Sequence, residues 1–343
     1  MSLKTPAPEA ESPAGRTPSG PAEHTTGGLL AVVRRIPHLG LLTVLILVAG
    51  FTATRSDAFL TQDNLINVLR QVSITAVIAA ALTLVMTAGG MDFSMGSNVY
   101  VVAALAAQLL HNGASVVVTI LASVALAMAI GLVNGLVVTY IKVAPFVVTL
   151  ATATILDGVQ LVVLDGKTVS GGEALSDLGA GYFIGLPNLT WLALIVLALT
   201  ALVMKYTTYG RDLFAIGGNE HVARLSGIGV NRNKLLLYAG AGALSGLAGI
   251  MLLSRLVASS PSAGGGLMLQ LSAVAAVVIG GTALEGGRGT VVGTILGVVL
   301  LGVVANSLNL LQISSFYQPV SVGTVLVIAA IANQLQKSRH PSH

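Results

Sequence analysis

From residue 36 onward, apolar runs about as long as a bilayer is thick follow one another with little between them. They cover about 36–53, 71–88, 96–111, 115–140, 145–164, 188–205, 235–254, 269–284, 289–308 and 317–335. A helix rises about 1.5 Å per residue, so some 20 mostly apolar residues cross a hydrocarbon core about 30 Å thick. Backbone polar groups find no water there and must be satisfied within the segment, as an α-helix does. The expected fold is all-α: a polytopic membrane helix bundle of about ten transmembrane helices. The third run is short and the fourth overlong, so one of them can be broken or partly re-entrant.

Charge is scarce to match. Charged residues make up 9% of the 343 and apolar ones 54%, whereas a soluble domain carries about 25% charged residues. Residues 1–28 differ, holding five of the eleven prolines and almost no large apolar side chain. They cannot bury enough surface to offset ordering and are expected to be a disordered tail. Their acidic, Pro-rich character is not that of a cleaved signal peptide. The membrane-embedded body is expected over 29–336, with a second short tail at 337–343. The chain has no Cys, and its six His, at 24, 38, 111, 221, 340 and 343, lack metal-ligand spacing. If the N-terminus is cytoplasmic, thirteen of the 17 Lys and Arg fall on that side, leaving Arg55, Arg70, Lys167 and Arg255 opposite. Positive loops stay in the cytoplasm, so both termini and the loop 206–234 are expected there.

That loop contains "GGNEHVARLSGIG" at 217–229, which has the punctuation of a very short helix. Asn219 can cap its start, Glu220 sits in the first turn, and Gly227 can take the left-handed position that ends it. Glu220 and Arg224 form an i, i+4 pair, while Val222 and Leu225 share a face. Isolated helices under about 12 residues are marginal in water, so this one must dock on something. The dock is either the rest of its own chain or a cytoplasmic partner.

Other motifs punctuate the runs. In "AGGMDFSMGS", at 88–97, an acid stands between two apolar stretches. An Asp at mid-bilayer costs about 2.5–3.5 kcal/mol, so Asp92 belongs near an interface or in a polar crevice. Asp92 or Ser94 can cap the third span, where the helix dipole favours an acid. "GGTALEGGRGT", at 280–290, is a second turn of the same kind with Glu285 as its acid, and Glu285 and Arg288 can pair locally. Gly242 with Gly246, and Gly293 with Gly297, have the spacing that lets helices approach closely. Pro145 is placed to start a span beside Phe146. Asn134, Asn306, Asn309 and Gln160 can bond a polar compound within the bundle or bond between helices, the commoner use. "GKT" at 166–168 is not a phosphate loop, because that motif needs Gly at 161 and the chain has Leu161.

The stretch from "GRDLFAIGGNEHVARLSGIG" through "GALSGLAGIMLLSRL", followed by "SAVAAVVIGGTALEGGRGTVVGTILGVVLLG", closely resembles the permease subunits of ribose-type sugar ABC importers. So do "AGGMDFSMGS" and "NGLVVTYIKVAPFVVTLATATI", and the resemblance covers nearly all of the chain beyond the tail. It implies a multi-pass bacterial inner-membrane subunit, in membrane lipid, that translocates a monosaccharide or similar small polyhydroxy compound and performs no chemistry. The implied partners are a second copy of the chain, a cytoplasmic ATPase carrying ATP and Mg, and a periplasmic or extracellular substrate-binding protein. No cofactor is implied on this chain and no nucleic acid as a partner. For Gly217, Gly218, Asn219, Glu220, Arg224 and Gly227 it implies ATPase coupling. For Gly89, Gly90, Asp92, Ser94 and Gly96, and for Gly280, Gly281 and Glu285, it implies a gating or structural role. Asn134, Phe146, Asn306 and Asn309 are the pathway candidates. The family pattern has an acid shortly before the "AAVVIGG" run, where this chain has Ser272. Two alternatives stand beside this reading: the related permease for branched-chain amino acids, and an ion-driven secondary transporter, for which only Asp92 and Asp157 approach the needed mid-membrane ionisable group.

Overall fold

The computed structural model describes residues 38–262 and 265–314, then 317, 319–324 and 327. The expected tails 1–28 and 337–343, the start of the first run and most of the run 317–335 lie outside the described residues. Twelve helices are described: α1 (Leu39–Arg55), α2 (Gln62–Thr87), α3 (Met95–His111), α4 (Val116–Leu136), α5 (Pro145–Leu164), α6 (Ser176–Ala180), α7 (Asn188–Tyr206), α8 (Thr208–Gly218), α9 (Glu220–Leu225), α10 (Val230–Leu256), α11 (Gly265–Ile279) and α12 (Val291–Leu310). Among the described residues six helices are long and apolar enough to cross a membrane: α2, α4 with its extension to Ile141, α5, α7, α10 and α12. The chain is thus an all-α polytopic membrane protein, while α1, α3 and α11 are shorter apolar helices.

Local chemistry explains where the helices begin and end. α2 starts at Gln62, well before its apolar run, because the Thr61 hydroxyl caps the Asn64 N–H at 3.4 Å and Asp63 lies in the first turn. The Ser115 hydroxyl caps α4 in the same way, and Pro145 occupies the first turn of α5 as expected. The overlong fourth run is neither broken nor re-entrant: α4 continues through one π-turn, Val137–Ile141, and stops where Lys142 turns left-handed.

α10 is the centre of the bundle, packing on α4, α3 and α2, while α11 and α12 pair with each other and with α2. Apolar burial does not drive helices together in lipid, so close packing has to. Gly131 of α4 faces Gly242 of α10, and Gly246 fits over Ala127. Likewise Gly297 lies on the Ala276 carbonyl and Gly280 on Gly293. The small-residue spacings are therefore helix contacts. α1, α4 and α5 turn large apolar side chains outward, among them Leu47, Leu121 and Val162, the positions that lipid would cover.

Two clusters of connections mark the two ends of the bundle. At one, β1 (Val169–Ser170) pairs antiparallel with β4 (Ala258–Ser259), β2 (Tyr182–Phe183) with β3 (Leu186–Pro187), and α6 packs on α10. At the other, the segments 88–90, 207–229 and 285–289 come together.

Candidate functional site

The second of these ends joins three motifs that are far apart in sequence. Gly287 N–H donates to the Thr87 carbonyl at 2.9 Å, tying the 285–289 turn to the end of α2. Gly217, at the end of α8, lies against the same carbonyl, and a Cβ there would also meet the Gly287 nitrogen. A Cβ on Gly286 would come within 2.7 Å of the Gly89 Cα. Gly89, Gly286 and Gly287 all have positive φ, at 73°, 93° and 72°, which side-chain-bearing residues rarely adopt. The loop after α7 is thus seated on both glycine turns by bare backbone, with no side chain between. Gly281 is likewise left-handed, at 93°, while Gly218 faces open space. Glu285 belongs to this knot through its carbonyl, which faces Gly89.

α9 projects from the knot. The Asn219 side chain accepts from the Val222 N–H at 3.1 Å, and Gly227 ends the turn at φ 83°. Glu220 pairs with Arg224 at 3.1 Å and also with Lys234, at the start of α10, at 2.6 Å. Arg224 in turn donates to Asn231 at 3.2 Å. Partial burial pushes the Glu220 carboxyl up, but the hydrogen bonds and charges of Lys234 and Arg224 outweigh it and hold it below its ordinary value. Only Ala223 is buried, beneath Ile216, Ile228 and Val230. Val222 and Leu225 share a face as expected, and that face points outward, 54% and 75% exposed.

"GGMDFSMGS" forms a buried turn gripped from four sides. Asp92 is 2% exposed. Its carboxylate accepts the Ser94 N–H at 2.8 Å and the Ser94 hydroxyl at 2.6 Å. Ser94 stands at the start of α3 but makes no side-chain cap bond; it is Asp92 that satisfies a backbone donor there. Asn134 of α4 donates to the Ser94 hydroxyl at 2.9 Å, and Thr152 of α5 donates to Asn134 at 2.7 Å. From α10, the Tyr238 hydroxyl donates to the Met91 carbonyl at 3.1 Å. From α11, the Gln270 amide donates to the Asp92 carbonyl at 2.6 Å and accepts from the Gly96 N–H at 3.0 Å. Gly96 and Gly266 allow the starts of α3 and α11 to touch backbone to backbone.

The expected pathway residues do not surround one void. Asn134 belongs to this network, Asn306 exchanges hydrogen bonds with Asn64 at 2.7 and 3.0 Å, and Asn309 is exposed. Phe146 meets the Phe93 ring edge-on at 5.5 Å and is half exposed. Gln160 donates to the Ser260 carbonyl. The bundle's cavity lies elsewhere, about 330 Å³ between α2, α3, α10, α11 and α12, with Gln71, Thr75, Tyr100, Arg255, Ser272 and Ser321 as polar lining. A second cavity, about 390 Å³, shares Tyr100 and Leu252 with it and reaches Ser259 and Ser260. One signal for this lining was in the sequence: Gln71 and Thr75 are polar, one helical turn apart, at the opening of an apolar run. No signal placed Tyr100 or Arg255 beside them.

A family model described as "Branched-chain amino acid transport system / permease component" matches residues 64–330. A ribose import permease of Bacillus subtilis is 40% identical over 301 residues, covering 87% of this chain and 92% of the relative. One of Haemophilus influenzae is 37% identical over 303 residues, covering 87% and 93%. An L-arabinose ABC transporter permease of Azospirillum brasilense is 31% identical over 334 residues, covering 97% and 96%. No solved structure matches. The likeness runs through the glycine knot, the buried Asp92 turn and every long helix, and on that extent the chain belongs to this ABC transporter permease family.

Proposed function

We propose that the protein is the translocation subunit of an ATP-driven importer for a monosaccharide or similar small polyhydroxy compound in the bacterial cytoplasmic membrane. The observation that carries this is likeness over 87–97% of the chain to permeases named for ribose and L-arabinose. The described part of the molecule suits that work. Its cavity has the size of a small-molecule site. The chain acts as a pair with a second copy. An ATPase subunit holding ATP and Mg docks at the charged end through α9, and a binding protein delivers substrate at the other. The six long helices, the three shorter apolar ones and the run 317–335 are its ten crossings, with both termini on the ATPase side.

Proteoliposomes holding the permease with its ATPase and binding protein test this. Accumulation of the compound that the binding protein retains should need ATP on the ATPase side and ignore a protonophore. Uptake driven by a proton or sodium gradient without the ATPase would overturn the reading. Retention of a branched-chain amino acid by the binding protein would instead favour the substrate class in the family's description.

A further inference from the structure

We infer that the cavity between α2, α3, α10, α11 and α12 is a substrate site within the membrane and that it selects a polyhydroxylated monocarboxylate, a sugar acid, over a neutral sugar. The inference rests on the importer reading and narrows its substrate class.

Most buried polar side chains of the bundle are bonded to protein, as in the Asp92 turn and the Asn64–Asn306 pair. The cavity lining differs. Among the described residues, the side chains of Gln71, Thr75, Tyr100 and Arg255 make no hydrogen bond to protein, although all four line one space of about 330 Å³. Polar groups left without partners in a bundle are costly unless water or a ligand takes them up. An amide, two hydroxyls and an aromatic ring around a space of this size match a compound with several hydroxyl groups and an apolar ring or chain face. Ser272 and Ser321 add two more hydroxyls, of which that of Ser272 donates to the Met268 carbonyl and keeps its lone pairs for an acceptor role.

Arg255 sets the charge. It is partly buried in the cavity wall, and no carboxylate among the described residues lies within the 4.0 Å of an ion pair. Ser272, just before the "AAVVIGG" run of α11, stands on the same cavity wall and brings no charge to it. Asp157 lies close enough to Tyr100, on that wall, to act on it electrostatically and makes no ion pair with Arg255. Arg70, close enough to repel Arg255, donates to the Ala180 carbonyl at 2.7 Å and lies 5.1 Å over the Tyr182 ring. It adds positive potential, and its Nε is buried without a hydrogen-bond partner. A cation on the wall of a partly enclosed cavity is stabilised by an anion brought into that cavity, and a guanidinium holds a carboxylate through two parallel hydrogen bonds. Arg255 is the guanidinium on the cavity wall, while Arg70 is tied to Ala180 and Tyr182, so the wall offers one planar fork, which suits a single carboxylate. A neutral sugar would fill the space and leave the charge uncompensated.

The test is ligand binding by the full-length permease in lipid nanodiscs, read as a shift in melting temperature against D-ribonate, D-ribose and inorganic phosphate at equal millimolar concentrations. Ribonate should raise the melting temperature, with ribose and phosphate well behind. Ser272→Asp places a carboxylate on the cavity wall that Arg255 also lines and should raise the half-saturating ribonate concentration at least about tenfold, with the unliganded melting temperature near that of the wild type. Arg255→Gln should lose the preference for ribonate over ribose. Ribose protecting as well as ribonate, phosphate matching ribonate, no shift with any probe, or an unchanged ribonate response in Ser272→Asp would each overturn the inference. Failure of the importer reading shows separately, as uptake that does not depend on ATP.

Discussion

Single residues in this protein carry weight according to what surrounds their backbone. Gly217 and Gly218 are adjacent and identical in sequence, yet a Cβ on the first would meet the Thr87 carbonyl and the Gly287 nitrogen while the second faces open space. Gly217→Ala should therefore destabilise the permease by about 1–3 kcal/mol, the usual cost of overpacking, and Gly218→Ala should change it by less than about 0.5 kcal/mol. Thermal unfolding of both variants in nanodiscs checks the contrast, and equal melting temperatures would remove the knot as an explanation for the paired glycines. Asp92 gives a second comparison. Asp92→Asn keeps an oxygen that can accept from the Ser94 N–H and hydroxyl and should fold nearly as the wild type does. Asp92→Ala leaves those buried donors unmet and should cost about 1–3 kcal/mol. Transport lost in Asp92→Asn at normal abundance and stability would show that the charge itself is used. The importance of the motif was legible in its acid between apolar runs. Its partners Gln270 and Tyr238 were not, because both come from helices more than a hundred residues away.

At the scale of elements, apolar runs located the long helices but not their ends. α2 and α10 begin earlier than their runs, at Gln62 and Val230, because their first turns are polar and lie outside any hydropathy window. α9 was readable in detail, since its cap, first-turn acid and terminal glycine are local signals. Its link to Lys234 was not, because it joins α9 to the next helix across the Gly227 turn. As Val222 and Leu225 face outward, Leu225→Ser should leave the permease folded while the ATPase co-purifies poorly or hydrolyses ATP without coupling to uptake. Wild-type coupling in Leu225→Ser and in Glu220→Lys would reduce α9 to ordinary loop structure. The charged pairs also make a prediction about pH. The Glu220 carboxyl is held below its ordinary value near 4.5, so the stabilisation from its pairs is fully present above that value and fades as pH falls through the lowered one. Hydrogen exchange of the α9 amides should accelerate, relative to its intrinsic pH dependence, only below about pH 4.5, and Glu220→Gln should abolish that step.

For the whole molecule, the distribution of charge makes the strongest claim. Lys142, Lys205, Arg211, Arg224, Arg232, Lys234 and Arg288 lie in or beside connections at the end where the glycine turns meet, while Arg55, Arg70, Lys167 and Arg255 lie toward the end with the short β-pairs. Positive loops are retained in the cytoplasm, so the knot and α9 should face inward and the cavity with Arg255 should be reached from outside. The absence of Cys allows a direct test with single reporters. Ser176 and Ser226 are both exposed, one in the connection before α7 and the other just after α9. An impermeant thiol reagent applied to intact cells should label Ser176→Cys and spare Ser226→Cys, which should react only after the membrane is opened. The reverse pattern would invert the protein, put α9 out of reach of any cytoplasmic ATPase, and remove the physical basis for coupling at that end. Labelling of both sites in intact cells would mean that the two ends do not lie on opposite sides of the bilayer, and the even number of crossings would fall with it.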